Sequence, residues 1–419
     1  MIHLSPTLRF LLFSPLVASS FASPATSSTL TKRATCTVTS SGNAGVDDVP
    51  SIEDAIQSCG DGGIILLSAG TTYALRSTLD FTGCVNCEMQ IEGTLKLSDD
   101  TDFWDGVGSA ILLSDINGAH IHSVTGTGLI DGNGVPFWQS EFLQLGFGEH
   151  FLTRRIGFNS DSSFRRPTLI SISGGSDITI ENLLIRNAPN VFQSVNGDAK
   201  NVNYRGLTMQ AIPTADVTPK NTDGFDVGAS SFVTISDTTV ENQDDCVAFK
   251  PGCNFLTVTN ITCRGSHGLS VGSLAKSSDD MVQNVIVSGA TMIDSTKATG
   301  IKLYDGAAGH GTATVRNVTF DNIEVQNCDY AAQIQSCYES TGTCVPSSHI
   351  VDGVKWTNIR GTTSSEFDPV VANMNCPADG TCNISFSEFT VTAPSGEADI
   401  LCSGVDDDLG VSCSGAASG

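Results

Sequence analysis

A short strand pattern recurs eight times between residues 178 and 389 and constrains the fold more than any other feature of the sequence. Each copy has two alternating apolar positions, then usually Asn, Gly or Asp at a turn, followed in most copies by further apolar residues. Successive side chains of a strand point to opposite faces, so each copy buries one face. The copies start 23 to 36 residues apart, at Ile178, Val202, Val233, Leu256, Val285, Val318, Val354 and Ile384.

Variable spacing around a constant core pattern is typical of a solenoid, in which loops of different length leave a regular coil. The turn residues suit a left-handed backbone. A β-sandwich would join its strands by tight hairpins, and no Asn-Gly or Asp-Gly hairpin recurs between the copies. The sequence therefore predicts an all-β fold, a right-handed parallel β-helix.

Residues 48–59 are predicted to form a short helix that caps the N-terminal end of this stack. Ile52 and Ile56 lie on one face of that helix, and Ser51 and Asp54 have the spacing of a capping box. Solenoids need such caps because their terminal coils expose the core.

The first 33 residues have the features of an export segment. Residues 1–22 combine a single Arg, an apolar run and small residues, which predicts a signal peptide. Lys32-Arg33 would end a possible pro-segment over 23–33, which leaves 34–419 as a single catalytic β-helix domain. The protein is therefore expected to be secreted and extracellular.

The charge balance excludes two classes of partner. The chain has 21 Lys and Arg against 45 Asp and Glu, a formal charge of −24. Binding to nucleic acid or to an anionic membrane surface needs a positive surface, so neither is expected. A monomer is expected.

Fourteen cysteines in an exported chain favour disulfides over a zinc site. Close spacing predicts the pairs Cys84–Cys87, Cys376–Cys382 and Cys402–Cys413, and Cys36–Cys59 is expected to tie the N-terminal end. Position beside the acidic motifs described below predicts Cys246–Cys263. Three sequons predict N-glycosylation at Asn260, Asn317 and Asn383.

Acidic residues recur at the interval of one coil. Asp223, Asp245 and His267 are each 22 residues apart, close to the shortest coil in the chain. Residues one coil apart in a β-helix stack at about 4.8 Å, so these three are predicted to form a ladder. Lys302 and Tyr304 would add a cation and an aromatic ring on the following coil.

Other readings of the same residues remain open. A single Asp often caps a turn, a single His is usually structural, and clustered carboxylates can bind calcium. Carboxylates about 5 Å apart raise one another's pKa, and folds rarely place such groups without using them. A His and a Lys beside the acids disfavour calcium, which prefers oxygen ligands. Catalysis without a metal or other cofactor is the favoured interpretation.

Four motifs resemble the active-site motifs of glycoside hydrolase family 28, the polygalacturonases and related pectin-cutting enzymes. In order, they are Asn221-Thr222-Asp223, Gln243-Asp244-Asp245-Cys246, Gly265-Ser266-His267-Gly268 and Ile301-Lys302. The resemblance extends over about residues 36–413. It implies a secreted hydrolase that cuts a galacturonan with inversion at the anomeric carbon.

The resemblance also implies a role for each residue. Asp244 matches the family's proton donor, and Asp223 and Asp245 match the pair that activates water. His267 would tune the protonation of the acid, while Lys302, with Asn221 and Tyr304, would bind the substrate. Neighbours on a strand face opposite sides, so a bulge or turn is expected at Asp244-Asp245 to bring both acids into the groove.

One position departs from the family pattern. Members that cut plain polygalacturonan have Arg-Ile-Lys, whereas this chain has Gly300-Ile301-Lys302. The change removes a planar fork that could hold a uronate carboxylate. It is also expected to leave space at Gly300 for a xylose branch. With the flanking residues, this resembles the fungal members that act on xylogalacturonan.

Three alternatives are retained. Endo- or exo-polygalacturonase on unbranched substrate is the nearest, and the sequence does not separate endo from exo attack. A pectate lyase is less favoured, because no Arg is expected near the acids. A non-catalytic carbohydrate-binding solenoid would explain the fold but not the stacked acids.

Overall fold

The computed structural model describes residues 33–139, 163–405 and 408–419. Residues 34–419 form one compact unit. The predicted signal peptide and nearly all of the predicted pro-segment lie outside the described residues. None of the described helices is long and apolar enough to cross a membrane.

Two parallel sheets build the domain, and the predicted right-handed parallel β-helix is confirmed. The larger sheet holds the repeated strands identified in the sequence. Among the described residues its strands are Thr35–Thr37, Ile64–Leu67, Thr72–Leu75, Val85–Ile91, Thr94–Leu97, Asn117–His122, Leu129–Asp131, Ser176–Glu181, Leu184–Arg186, Ala199–Arg205, Thr208–Gln210, Ser230–Glu241, Cys253–Arg264, Asp280–Ile293, Ala313–Cys328, Ile350–Thr363 and Thr381–Thr392.

The second sheet consists of shorter strands, most of them three to six residues long. Its described strands are Leu79–Asp80, Ser109–Ser114, Thr168–Ser173, Gln193–Asn196, Phe225–Val227, Val247–Phe249, Leu269–Leu274, Thr299–Leu303, Ala332–Gln335, Val370–Asn375 and Asp399–Ser403. The described helices are Val49–Cys59, Thr101–Trp104 and Val135–Trp138.

The eight repeats stack in register, first residue against first residue, as Ile178 against Val202 and Val202 against Val233 show. The turn position of every copy has a positive φ, between 51° and 76°. Such a backbone carries little penalty for Gly and is tolerated by Asn and Asp, which explains the residue choice. These positions are Asn182, Gly206, Asp237, Asn260, Gly289, Asn322, Asn358 and Glu388.

The interior between the two sheets is a continuous apolar core. Because coils stack in register, like side chains form ladders inside it. The rings of Phe320, Trp356 and Phe386 stack on successive coils with centroids 5.7 and 4.9 Å apart. Aromatic pairs at this separation stabilise a fold beyond the area they bury, by about 0.5–1.5 kcal/mol each.

The N-terminal helix is present, but its predicted capping box is wrong. The helix begins at Val49, so Ser51 lies within its first turn and cannot cap it. Asp48 precedes the helix, and its carboxylate accepts hydrogen bonds from Ala74 N and Ser41 N instead of capping. The predicted apolar face is confirmed, since Ile52 is fully buried.

Six disulfides are present, including all five predicted pairs. The sixth, Cys337–Cys344, was not predicted. Cys246–Cys263 joins the coil of the acidic motif to the larger sheet, and closing a loop of this length stabilises the fold by about 3 kcal/mol. Cys253 and Cys328 are buried free thiols.

The three sequon asparagines are exposed. Each donates a side-chain hydrogen bond to the coil before it, as Asn260 Nδ2 does to Asp237 Oδ1 at 2.7 Å. Glycosylation at these positions stays a prediction.

Candidate active site

The predicted ladder forms at the bends that precede the short strands of the second sheet. Asp223, Asp245 and His267 occupy equivalent positions on three successive coils. Backbone hydrogen bonds join them, from Gly224 N to Asp245 O at 2.9 Å and from His267 N to Asp244 O at 2.7 Å. The 22-residue spacing therefore places these groups on adjacent coils, as predicted.

Asp244 lies in a bend rather than in a strand, as expected for a pair that must both reach the groove. Its carboxylate accepts from Asn221 Nδ2 at 3.3 Å and from the backbone N–H of Asp245 at 2.9 Å, and it lies 3.3 Å from His267 Nδ1. Burial raises the pKa of Asp244. Hydrogen bonding and charge from His267, the Asp245 N–H and the charge of Lys302 outweigh burial and lower this pKa to about 2.

Arg166 stands beside this acid, so the expectation that no Arg lies near the cluster is wrong. Its guanidinium donates to Asn221 Oδ1 at 2.8 Å and to the carbonyl oxygen of Lys220 at 2.6 Å. Burial lowers the pKa of Arg166 to about 10, against the opposing charges of Asp244 and Asp223. Asn221 thus connects a buried cation to the carboxylate of Asp244.

Asp223 has the opposite electrostatic setting. Burial, and then the charges of Asp226 and Asp244, raise its pKa well above the usual range, although Lys250 opposes this. Burial also raises the pKa of Asp226. Lys250 Nζ lies 3.8 Å from Asp223 Oδ2 and 3.4 Å from Asp226 Oδ1. A proton is therefore retained on the Asp223–Asp226 pair at a pH where an ordinary Asp is ionised.

Asp245 and Lys302 form a buried ion pair. Lys302 Nζ lies 2.5 Å from Asp245 Oδ2, and the two side chains are 7% and 1% exposed. The charge of Asp245, opposed by burial, raises the pKa of Lys302. Lys302 therefore holds Asp245 in place, besides lining the groove next to His267.

The outward face of the second sheet forms the floor of this groove. In-register positions on successive coils are Asp226, Ala248, Ser270, Gly300 and Gln333. The middle of this row has small residues, Ala248, Ser270 and Gly300. Gly300 thus belongs to the groove and does not face away from it.

The expectation that Gly300 leaves empty space is wrong. A Cβ at this position would lie 2.6 Å from Cδ and 2.7 Å from Cε of Lys297. The stem of Lys297 thus fills the volume that a side chain at 300 would take, and a larger residue there would require this flexible stem to move. Glycine at this position leaves the stem of Lys297 free to lie across it.

Tyr304 is largely buried beside the pocket that His267 and Lys302 line. It is 5% exposed, and its hydroxyl donates to Glu339 Oε2 at 2.6 Å. Tyr338 stands next to it, with ring centroids 5.6 Å apart, and does line the groove. Contact of Tyr304 with substrate stays a prediction, and Tyr338 is an aromatic ring that lines the pocket beside His267 and Lys302.

Within residues 33–139, 163–405 and 408–419, two clusters have the residue types of a metal site. The ligand atoms of Asp244, Asp245 and His267 lie within 4.8 Å of one another, but the ammonium of Lys302 already neutralises Asp245 there and opposes a second cation. The other cluster, on the larger sheet, is Glu88, His120 and His122. Its imidazoles are paired with carboxylates, as in the 2.9 Å contact between His122 Nε2 and Glu88 Oε1.

Comparison with known proteins identifies the family. Residues 59–414 match the family model described as glycosyl hydrolases family 28. This chain belongs to that family. It is a glycoside hydrolase, and the resemblance of its four motifs is confirmed.

Family 28 relatives match nearly the whole chain. The chain is 51% identical over 394 residues to a probable endo-xylogalacturonan hydrolase A of Aspergillus oryzae, which covers 93% of each chain. It is 50% identical over 395 residues to endo-xylogalacturonan hydrolase A of Aspergillus tubingensis, covering 94% of this chain and 93% of that one.

Solved structures of the family share the fold. The crystal structure of the Aspergillus tubingensis endo-xylogalacturonan hydrolase matches with a TM-score of 0.86 and 50% identity, over 92% of this chain and all of that one. A polygalacturonase from Erwinia carotovora matches with a TM-score of 0.69 at 20% identity, over 90% of this chain and 97% of that one. At that identity the likeness concerns the fold.

Four charged residues of this family 28 site were not predicted to act there: Arg166, Asp226, Lys250 and Lys297. Asp226 and Lys250 stand within five residues of a predicted acid. Side chains alternate between the two faces of a strand, and this alternation could have placed both residues on the outward face with the acids. Arg166 comes from a coil 55 residues before its partner Asn221, and no local pattern connects the two.

Hydrolysis by this family 28 enzyme is expected to be fastest below pH 7, because the acid cluster must keep one proton. The charge of Asp226 raises the pKa of Asp223, and the charge of Lys250 lowers it. Asp226→Asn should therefore move the alkaline limb of the pH–rate profile to lower pH, and Lys250→Met should move it to higher pH. Profiles of both variants, each normalised to its own maximum, check this. Shifts in the same direction would contradict the assignment.

Proposed function

We propose that this chain is a secreted endo-xylogalacturonan hydrolase, which cleaves α-1,4 galacturonosyl bonds within a galacturonan that carries xylose branches. The observation that carries the proposal is 50% identity over 94% of the chain to a relative of that name. The cluster of acids on the groove supplies the chemistry that such a reaction needs.

The charges of the groove support an anionic sugar as substrate. The chain as a whole carries a formal charge of −24. Nevertheless, four cations stand at or beside the acids: Arg166, Lys250, Lys297 and Lys302. These cations offset the carboxylates of the cluster, so the groove repels a polyanion less than a purely acidic surface would.

In the proposed mechanism Asp244 donates a proton to the leaving glycosidic oxygen, while Asp223 and Asp245 activate the attacking water. Lys302 fixes the orientation of Asp245, and Asn221 and His267 fix that of Asp244. The product would have the inverted configuration at the anomeric carbon.

The free enzyme does not hold the proton on Asp244, whose pKa is about 2, but on the Asp223–Asp226 pair. Substrate binding would drive the transfer of this proton to Asp244. A uronate carboxylate adds negative charge, and the sugar excludes water, and both effects raise the pKa of a neighbouring acid. One proton within the cluster is then enough for the reaction, whichever acid holds it at rest.

Six disulfides agree with folding in an oxidising compartment and thus with export.

Rates on two matched substrates test the proposal. Xylogalacturonan should be hydrolysed at least about tenfold faster than the same polymer after removal of its xylose, with chain length falling early in the reaction as endo attack requires. Equal or higher rates on the unbranched polymer would replace the proposal by a polygalacturonase. Unsaturated products, detected by ultraviolet absorbance, would indicate a lyase.

A further inference from the structure

Lys297 occupies the next position of the catalytic ladder. It stands opposite His267 on the following coil, in the bend before the strand Thr299–Leu303. Its side chain is only 6% exposed and lines a pocket of about 320 Å³ together with His267, Lys302 and Tyr338. The pocket therefore extends the groove beyond the acids, toward the C-terminal coils.

The ammonium of Lys297 lacks a partner. Within the described ranges, its side chain makes no hydrogen bond or ion pair. It senses the charges of Asp245 and Asp244, but Asp245 is already paired with Lys302. Burial lowers the pKa of Lys297 to about 8, because keeping this cation out of water disfavours its charged form. A buried charge without a partner, on the wall of a substrate groove, indicates that its partner is the ligand.

Gly300 leaves room for this arrangement. The stem of Lys297 crosses over Gly300, where any Cβ would meet it at 2.6 Å. The motif resemblance implies that family members that cut plain polygalacturonan have an Arg at the matching position. Because residue 300 is a glycine, the floor lacks the guanidinium of that Arg. The ammonium of Lys297 reaches the groove from the preceding bend instead.

We propose that Lys297 binds the carboxylate of the galacturonate unit in this pocket, in place of the missing Arg. The inference rests on the proposed function, because a uronate must be the substrate. Asp329 lines the same pocket, but its Oδ1 already accepts from Ser364 Oγ at 2.7 Å. A lysine binds a carboxylate as a point charge, without the fixed plane of a guanidinium, so a uronate can bind there in a rotated orientation.

Binding of two ligands tests this inference. Calorimetry would use the full chain with Asp244→Asn, which blocks turnover, with and without Lys297→Met. The ligands are a galacturonate oligomer with free carboxylates and its methyl ester. Lys297→Met should weaken binding of the acid by roughly 10- to 100-fold and binding of the ester by less than about threefold. Lys355→Met, at an exposed position on the larger sheet, is the matched control and should change neither.

Stability provides a second readout. Met has nearly the length of Lys, and replacing an unpaired buried cation by an apolar side chain should leave the melting temperature unchanged or raise it. A lower melting temperature, with equal weakening of acid and ester, would show a structural lysine and overturn the inference. Failure of the unmodified enzyme to hydrolyse any galacturonan would overturn the proposed function and this inference with it.

Discussion

Replacing Asp244 by Asn is expected to lower kcat for galacturonan hydrolysis by about 10²- to 10⁴-fold, the usual range for loss of a positioned general acid. The amide can still interact with Asn221 and His267, so the groove should keep its shape and its affinity. KM should therefore change much less than kcat. Initial rates over a range of substrate concentrations separate the two parameters.

Asp237→Asn is the matched control for this variant. Asp237 makes the same type of side-chain contact, to Asn260, but it stands at an exposed corner of the larger sheet. The control should hydrolyse substrate at the original rate. Full activity of Asp244→Asn would contradict the assignment of Asp244 as proton donor and would mean that another acid of the cluster supplies the proton.

The larger sheet was predictable from the sequence because its strands repeat a simple rule. Apolar alternation followed by a left-handed corner is visible in each copy, and the stacking of Ile178 on Val202 and Val233 then follows from alignment alone. The second sheet was not predicted strand by strand. Phe225–Val227 and Val247–Phe249 are three residues long, too short for alternation to be recognised.

The acids of the site were predictable for a different reason. Between Asp223 and His267 both coils are 22 residues long, so equal spacing in the sequence becomes stacking in space. The next coil is 30 residues long and breaks the interval, which conceals the equivalence of His267 and Lys297. The space above Gly300 is filled by the side chain of Lys297, which starts three residues earlier in the chain. The spacing of residues in the sequence does not reveal this contact.

Lys302→Met is expected to have the largest effect on stability. The variant leaves Asp245 in the protein interior, 1% exposed and without the ammonium that lies 2.5 Å away. Removing one partner of a buried ion pair typically costs about 3–5 kcal/mol. Chemical denaturation should show this decrease in the free energy of unfolding, whereas Lys355→Met, at an exposed position, should stay within about 0.5 kcal/mol of the original protein.

The double variant Lys302→Met with Asp245→Asn separates the lost pair from lost packing. Because it removes both charges, it should recover most of the stability that Lys302→Met loses, even though its hydrolysis is abolished. A double variant less stable than the single one would mean that the two side chains contribute independently. In that case the ammonium of Lys302 would not hold Asp245 in place and would be available to bind substrate. The pairing assigned to the second water-activating acid would then be wrong.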